Sequence, residues 1–142
     1  MIHETRNIAS DMAWKLAALA RDHAADSGWL VAVVVTDAQG CPLSALRMDG
    51  VAPPILDFAG DKAYTAATMR RSTAAWFERM NASPGLRTGL ANRSRLLVWG
   101  GGLPVVLEGQ VIGGIGVSGA AEAEDIACAR AALEALGLFS EL

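Results

Sequence analysis

The residues that most invite a chemical reading lie in the run Gly101-Gly102-Leu103-Pro104-Val105-Val106-Leu107-Glu108-Gly109-Gln110-Val111-Ile112-Gly113-Gly114-Ile115-Gly116-Val117-Ser118-Gly119. Its end, Gly114-x-Gly116-x-x-Gly119, has the spacing with which a strand-to-helix turn cradles a pyrophosphate. That chemistry needs a second strand with an acidic residue about 20 residues downstream. Beyond Gly119 the 142-residue sequence has room for one helix only, so no nucleotide cofactor is expected. The run reads instead as a hairpin: Val105-Val106-Leu107 and Val111-Ile112 are apolar and largely β-branched, with a polar turn at Glu108-Gly109-Gln110. Glycines 113, 114 and 116 then mark a bulge, a helix crossing close to the strand, or a flat ligand on bare backbone.

The remaining chemistry-bearing residues are few. Two histidines, His3 and His23, and two cysteines, Cys41 and Cys128, form neither a metal-ligand spacing nor a nucleophile–base–orienter set. His23 ends the stripe Met12, Leu16, Leu19, His23, which suits either a capping histidine near a helix C-terminus or a haem ligand. Arg47-Met48-Asp49 gathers opposite charges beside a thioether at the end of a strand. Lys62 interrupts a turn of small apolar residues. Its ordinary reading is a lysine snorkelling to solvent; the other is a cation at a pocket mouth, receiving a carboxylate or a propionate.

The elements that must position these residues follow from periodicity and punctuation. A helix is expected from about Thr5 to Asp26, stopped by Gly28, then a central strand over Leu30–Thr36 and a return strand over Pro42–Met48. After Pro53-Pro54 the pattern predicts one helix from Ile55 to about Met80, with Ala59, Ala63, Ala66, Ala67 and Ala74 as a thin face and Phe58, Lys62, Thr65, Met69 and Trp76 beside it. Residues 84–95 read as a polar connection and Leu96–Trp99 as a short strand. The last helix runs from about Ala121 to Leu138 with Ile126, Leu133 and Leu136 buried. Its acidic first turn already occupies the positive end, which argues against a phosphate site at Ser118 or Gly119. Hairpins joined by helices give an α+β domain with an antiparallel sheet, a single domain over residues 1–142.

Composition sets the outer limits. Apolar residues make up 52% of the chain but aromatic ones only 6%, which favours close helix-on-sheet packing. A formal charge of −3 argues against general nucleic-acid or anionic-membrane binding. No apolar run approaches the length of a membrane span, and the polar start has no secretory core, so the cytoplasm is the expected compartment. Trp14, Trp29, Trp76 and Trp99 are many large rings for a small core, and some are expected at subunit contacts.

The motifs Val33-Val34-Val35-Thr36-Asp37-Ala38-x-Gly40, Arg47-Met48-Asp49-Gly50, Asp61-Lys62-Ala63-Tyr64-Thr65-Ala66, Pro84-Gly85-Leu86, Gly101-Gly102-Leu103-Pro104, Gly113-x-Ile115-Gly116-Val117-Ser118-Gly119 and Asp125-x-x-Cys128-Ala129 occur in this order. Together they resemble the GlcG/HbpS family, the haem-binding or haem-degrading domain family, from about residue 10 to residue 137. The resemblance implies a profilin-like antiparallel sheet flanked by N-terminal, central and C-terminal helices, assembled into symmetric homo-oligomers. Family members bind haem or accompany cobalamin-related enzymes. The positions that carry over are Asp37, Arg47, Met48, Asp49, Lys62, Thr65, Gly102, Pro104, Ser118 and Gly119. Cys41 stands where much of the family has a polar residue, often histidine, so histidine ligation at that turn does not carry over.

Two functions follow. One is a binding protein for haem or a related tetrapyrrole, with the ring near Met69, Trp76 and Trp99, propionates on Lys62 or Arg47, His23 as the first choice of axial ligand and Met48 or Cys41 as the second choice. The other is a small enzyme, or accessory subunit, acting on an organic acid held by Lys62 and Arg47, with Asp49 or Asp37 as general base.

Overall fold

A computed structural model describes residues 1–142 and contains four strands and five helices. The order is α1 (Ser10–Asp26), β1 (Ala32–Asp37), β2 (Pro42–Arg47), α2 (Pro53–Met69), α3 (Thr73–Asn81), α4 (Pro84–Leu90), β3 (Gly102–Leu107), β4 (Gln110–Ser118) and α5 (Glu122–Ala135). The strands form one antiparallel sheet in the order β2-β1-β4-β3. Helices α1 and α5 cover one face, over a core of Val33, Val35, Leu103, Val105, Ile115 and Val117; α2 covers the other, on Ala32 and Val34. The α+β architecture expected from the sequence is therefore present.

Several helix boundaries differ from the sequence reading, for physical reasons. Helix α1 begins at Ser10 because the preceding segment is tied to the sheet: Ile8 N–H donates to Ile112 O, and Asn7 Oδ1 accepts from Ala38 N–H. Its buried stripe is Ala13, Leu16, Ala17, Ala20 and Ala24, which leaves Leu19 and His23 half-buried and Met12 at the surface. Helix α2 starts at Pro53 because proline suits the first turn, where its missing N–H is not needed. The helix expected to continue to Met80 stops at Arg70, which adopts the left-handed conformation (φ 59°), and Ser72 caps a new helix by accepting from Ala75 N–H.

The expected polar connection contains α4, and Leu96–Trp99 is not a strand. Leu96 and Val98 pack instead against Met69, Trp76, Met80 and Leu90, closing a plug whose free space is about 10 Å³. Thr65 Oγ1 fastens this segment by donating to Arg95 O and accepting from Leu97 N–H. In the last hairpin, Glu108 and Gly109 both have positive φ, the two-residue turn that matches strand twist. The final helix ends at Ala135, and its stripe turns Asp125, Cys128, Ala129, Ala132 and Leu133 inward, with Ile126 and Leu136 half-buried beside it.

Two of the three β4 glycines have the helix-crossing explanation, while a Cβ at Gly113 would strike Thr36 O of β1. A Cβ at Gly114 would strike the carbonyl oxygen of Ala63, and one at Gly116 that of Ala59. Helix α2 thus lies with its backbone on the strand. Overpacking such a contact forces helix and sheet apart. Gly116→Ala is expected to lower unfolding stability by about 3 kcal/mol, read from denaturant midpoints, whereas Gly109→Asn in the open turn should change it little.

Candidate functional site

Strand direction gathers most of the nominated residues at one end of the sheet. Ala32, at the start of β1, is paired with Arg47 on one side and Ser118 on the other, and Gly102 of β3 pairs with Gly116. The last turn of α1, the first turns of α2 and the start of α5 meet at this same end. His23, Arg47, Met48, Asp49, Lys62, Trp99, Gly102, Ser118 and Gly119 therefore belong to one end, and Asp37 and Cys41 to the other.

Lys62 is the centre of this end and it does not snorkel: its side chain is fully buried. Nζ donates to Val117 O at 2.9 Å and lies 3.3 Å from Asp125 Oδ2. Asp125 Oδ1 accepts from Ala120 N–H at 3.0 Å. The pair reaches around the end of the sheet and joins α2 on one face to α5 on the other. Gly101 (φ 125°) makes the passage, since a Cβ there would stand 2.7 Å from Nζ and strike Val117 O. The indole of Trp99 covers Nζ, its ring centroid 5.6 Å away, and Phe58 meets that ring edge-on at 5.7 Å. Burial lowers the pKa of Lys62, against the pull of Asp125; burial raises that of Asp125, against Lys62.

Above the pair lies a groove of about 250 Å³, lined among others by Ile55, Phe58, Trp99, Ser118 and Glu122. Glu122 Oε1 also accepts from Gly100 N–H at 2.7 Å, anchoring the Trp99 segment to α5. Beside this groove, at the same end of the sheet, lie further apolar side chains. A Cβ at Gly119 would touch Ile55 at 3.4 Å and the Leu30 backbone, and one at Gly50 would touch Leu30 at 3.6 Å. Leu30, half exposed, is followed back along the chain by Trp29, whose ring lies 6.0 Å from that of His23.

The other nominated residues separate from this centre. Met48 Sδ accepts from Val31 N–H at 3.4 Å, and Arg47 donates to Val51 O while remaining exposed. Asp49 is exposed, and Asp37 is occupied as a turn acceptor for Gln39 and Cys41 N–H. Gly102 N–H donates to Thr73 Oγ1 at 3.0 Å. Met69 and Trp76 are sealed in the plug, so the expected surface of Met69, Trp76 and Trp99 does not exist as one face. Trp99 lies on the groove side instead. Lys62 and Arg47 do not converge on one carboxylate either: two strand spacings, roughly 10 Å, separate Arg47 from Ser118.

Sequence reasoning missed the role of Asp125, because a carboxylate in a first helical turn is explained by the helix dipole alone. The available signal was its position three, four and seven residues before Cys128, Ala129 and Ala132, which puts an acid on a buried stripe.

An α+β protein with an antiparallel sheet between helices, carrying an apolar groove over a buried lysine at one sheet end, is the class these features define. Residues 8–134 match the family model for HbpS-like, haem-degrading proteins, and the chain belongs to that family. It is 36% identical over 111 residues to protein GlcG of Escherichia coli K12, covering 78% of this chain and 81% of that one. It is 38% identical over 109 residues to a 15.0 kDa protein of the dhaT–dhaS intergenic region of Citrobacter freundii, covering 76% and 75%. Among solved structures, HbpS superposes with a TM-score of 0.86 at 32% identity, over 96% of this chain and 94% of that one. PduOC in complex with haem superposes with a TM-score of 0.87, over 96% and 99%, and at 24% identity this is a likeness of fold.

Removing one member of a buried ion pair strands the other charge, at about 3–5 kcal/mol. Lys62→Met is expected to lower unfolding stability by this amount, and adding Asp125→Leu to restore most of it, as measured by urea denaturation. A single variant as stable as the parent would show that the pair does not join the two layers. Cys128 gives a second check, because burial and the nearby Asp125 push its thiol up to about 11. A thiol reagent should modify the exposed Cys41 at once and Cys128 only on unfolding.

Proposed function

We propose that this chain is a small-ligand-binding protein whose ligand is haem or a related tetrapyrrole, held at the Lys62 end of the sheet. The observation that carries the reading is the set of large apolar side chains at this end, Ile55, Phe58 and Trp99 in the groove and Trp29 beside the His23 imidazole, with the exposed Arg47 guanidinium on the neighbouring strand. A flat apolar ring with two carboxylates and a central iron asks for these three things. Membership of the HbpS-like family supports it, and the same fold holds haem in PduOC.

The donor set narrows the ligation. Met48 sulfur already accepts an amide, Met69 is enclosed, and Cys41 belongs to the far end of the sheet. His23 is half-buried at the edge of the surface, and neither ring nitrogen is hydrogen-bonded within the chain, so it is the residue that would ligate the iron. Arg47 would receive a propionate with the part of its fork not used by Val51 O, a charge-assisted contact. Lys62 is committed to Asp125 and Val117. Haem, when bound, would supply redox or oxygen chemistry at its iron, and the chain's part is to bind, orient and shield the ring. The organic-acid reading has less support, because Lys62 and Arg47 stand apart.

Titration of the purified protein with hemin tests this. A saturable, stoichiometric Soret shift is expected, lost or blue-shifted in His23→Ala and weakened roughly tenfold in Arg47→Ala. No saturable shift in the parent protein would overturn the haem reading. A spectrum unchanged in His23→Ala would remove that residue as the ligand.

A further inference from the structure

Lysine is scarce in this chain: Lys15, exposed on α1, and Lys62 are the only two. The second is placed where a solvated ammonium gains nothing. Two oxygens, Val117 O and Asp125 Oδ2, meet Nζ, and the Trp99 ring covers it. Trp99 belongs to an irregular segment flanked by Gly100 and Gly101, and it is 43% exposed although its ring roofs a buried cation. Asp125 itself lines the groove on the other side of that ring. An amine, a carboxyl group and an apolar groove thus share one wall, the Trp99 ring.

We propose that Lys62 captures apolar aldehydes from this groove as a reversible imine, with Asp125 as its proton partner and Trp99 as the roof that lifts to admit them. A neutral amine is the nucleophile in such chemistry, and a desolvated lysine reaches that form most readily. Burial pushes the pKa of Lys62 down and that of Asp125 up, which eases the passage of a proton from Nζ to the Asp125 carboxylate. The Nζ lone pair then attacks the aldehyde carbon and a C–N bond forms. The carbonyl π electrons pass to oxygen, which takes the proton from the Asp125 carboxyl group. The nitrogen returns a proton to Asp125, and that proton leaves with the hydroxyl group as water when the C–O bond breaks. The sum, counted from the Lys62–Asp125 ion pair, is ammonium plus aldehyde to protonated imine plus water, with Asp125 again a carboxylate and no oxidant or reductant.

The groove selects the aldehyde. Ile55, Phe58 and Trp99 offer apolar walls, while the carboxylates of Glu122 and Asp125 disfavour an anionic substrate. An uncharged aromatic or branched aliphatic aldehyde fits this lining. The inference goes beyond haem binding and does not rest on it, since it involves neither His23 nor Arg47.

The test uses the full chain, benzaldehyde and cyanoborohydride, which reduces any imine to a stable benzylamine, with adducts located by peptide mass mapping. Lys62 is expected to be labelled at least about tenfold faster than Lys15, and 4-carboxybenzaldehyde to label Lys62 more slowly than benzaldehyde. In Asp125→Asn, labelling of Lys62 should slow while that of Lys15 stays unchanged. Adducts confined to Lys15 and the terminal amine, in protein with a native circular dichroism spectrum, would overturn the proposal. Equal labelling of Lys62 by both aldehydes would overturn the groove's part in it.

Discussion

The absence of side chains at Gly114 and Gly116 sets the distance between α2 and the sheet, and most of the architecture depends on that distance. With Ala59 and Ala63 carbonyls resting on the strand, the helix can present only small residues there, which explains the alanines of α2. A closely seated helix also brings the neighbouring position, Lys62, down to the level of the last β4 carbonyls. The long stem then passes Gly101 and ends at Val117 and Asp125. The buried ion pair is thus a consequence of close packing at the strand, and it ties the two helical layers together at the place where the groove opens.

The far side of the same helix explains why the tryptophans do not act as a group. Trp76 enters α3 after the break at Arg70 and is sealed among Met69, Met80, Leu90, Leu96 and Val98, with the guanidinium groups of Arg71 and Arg79 5.4 and 5.3 Å from its ring. Trp99, at the end of the same irregular segment, faces the groove. The hydrogen bonds of Thr65 to Arg95 and Leu97 fix where the chain crosses from one environment to the other. Thr65 thereby has a structural task at a position that the family resemblance nominates as part of a site. Asp37 is a parallel case, closing the β1–β2 turn with two amide contacts.

What could be read in the sequence was what local chemistry dictates. The hairpins followed from turn residues and β-branched runs, the glycines of β4 from the need for close approach, and the domain class from the order of elements. The break at Arg70 was not legible, because a left-handed arginine carries no sequence mark of the kind glycine would. The strand expected at Leu96–Trp99 failed because a short apolar run records burial without saying whether a sheet or a set of helices buries it. The Lys62 end was half visible. The motifs singled out Lys62, Arg47 and Ser118, which the fold places at one sheet end, along with Asp37 at the other, but burial of a cation depends on a partner 63 residues away, which no local pattern contains.

The two edges of the sheet are not equivalent. On β3 the outward-facing backbone belongs to Gly102, Pro104 and Val106: Thr73 takes the first, proline has no N–H to offer, and Phe139 pairs with the last through both N–H and C=O. That edge is stoppered along its length. On the other side β2 has no such cover, and its residues are largely exposed. Any lengthening of the sheet across a molecular boundary must therefore use β2, and two chains joined there would present a stopper at each end. Growth by that route terminates at two molecules, so a fold with an open strand is protected from polymerising by the one it has closed.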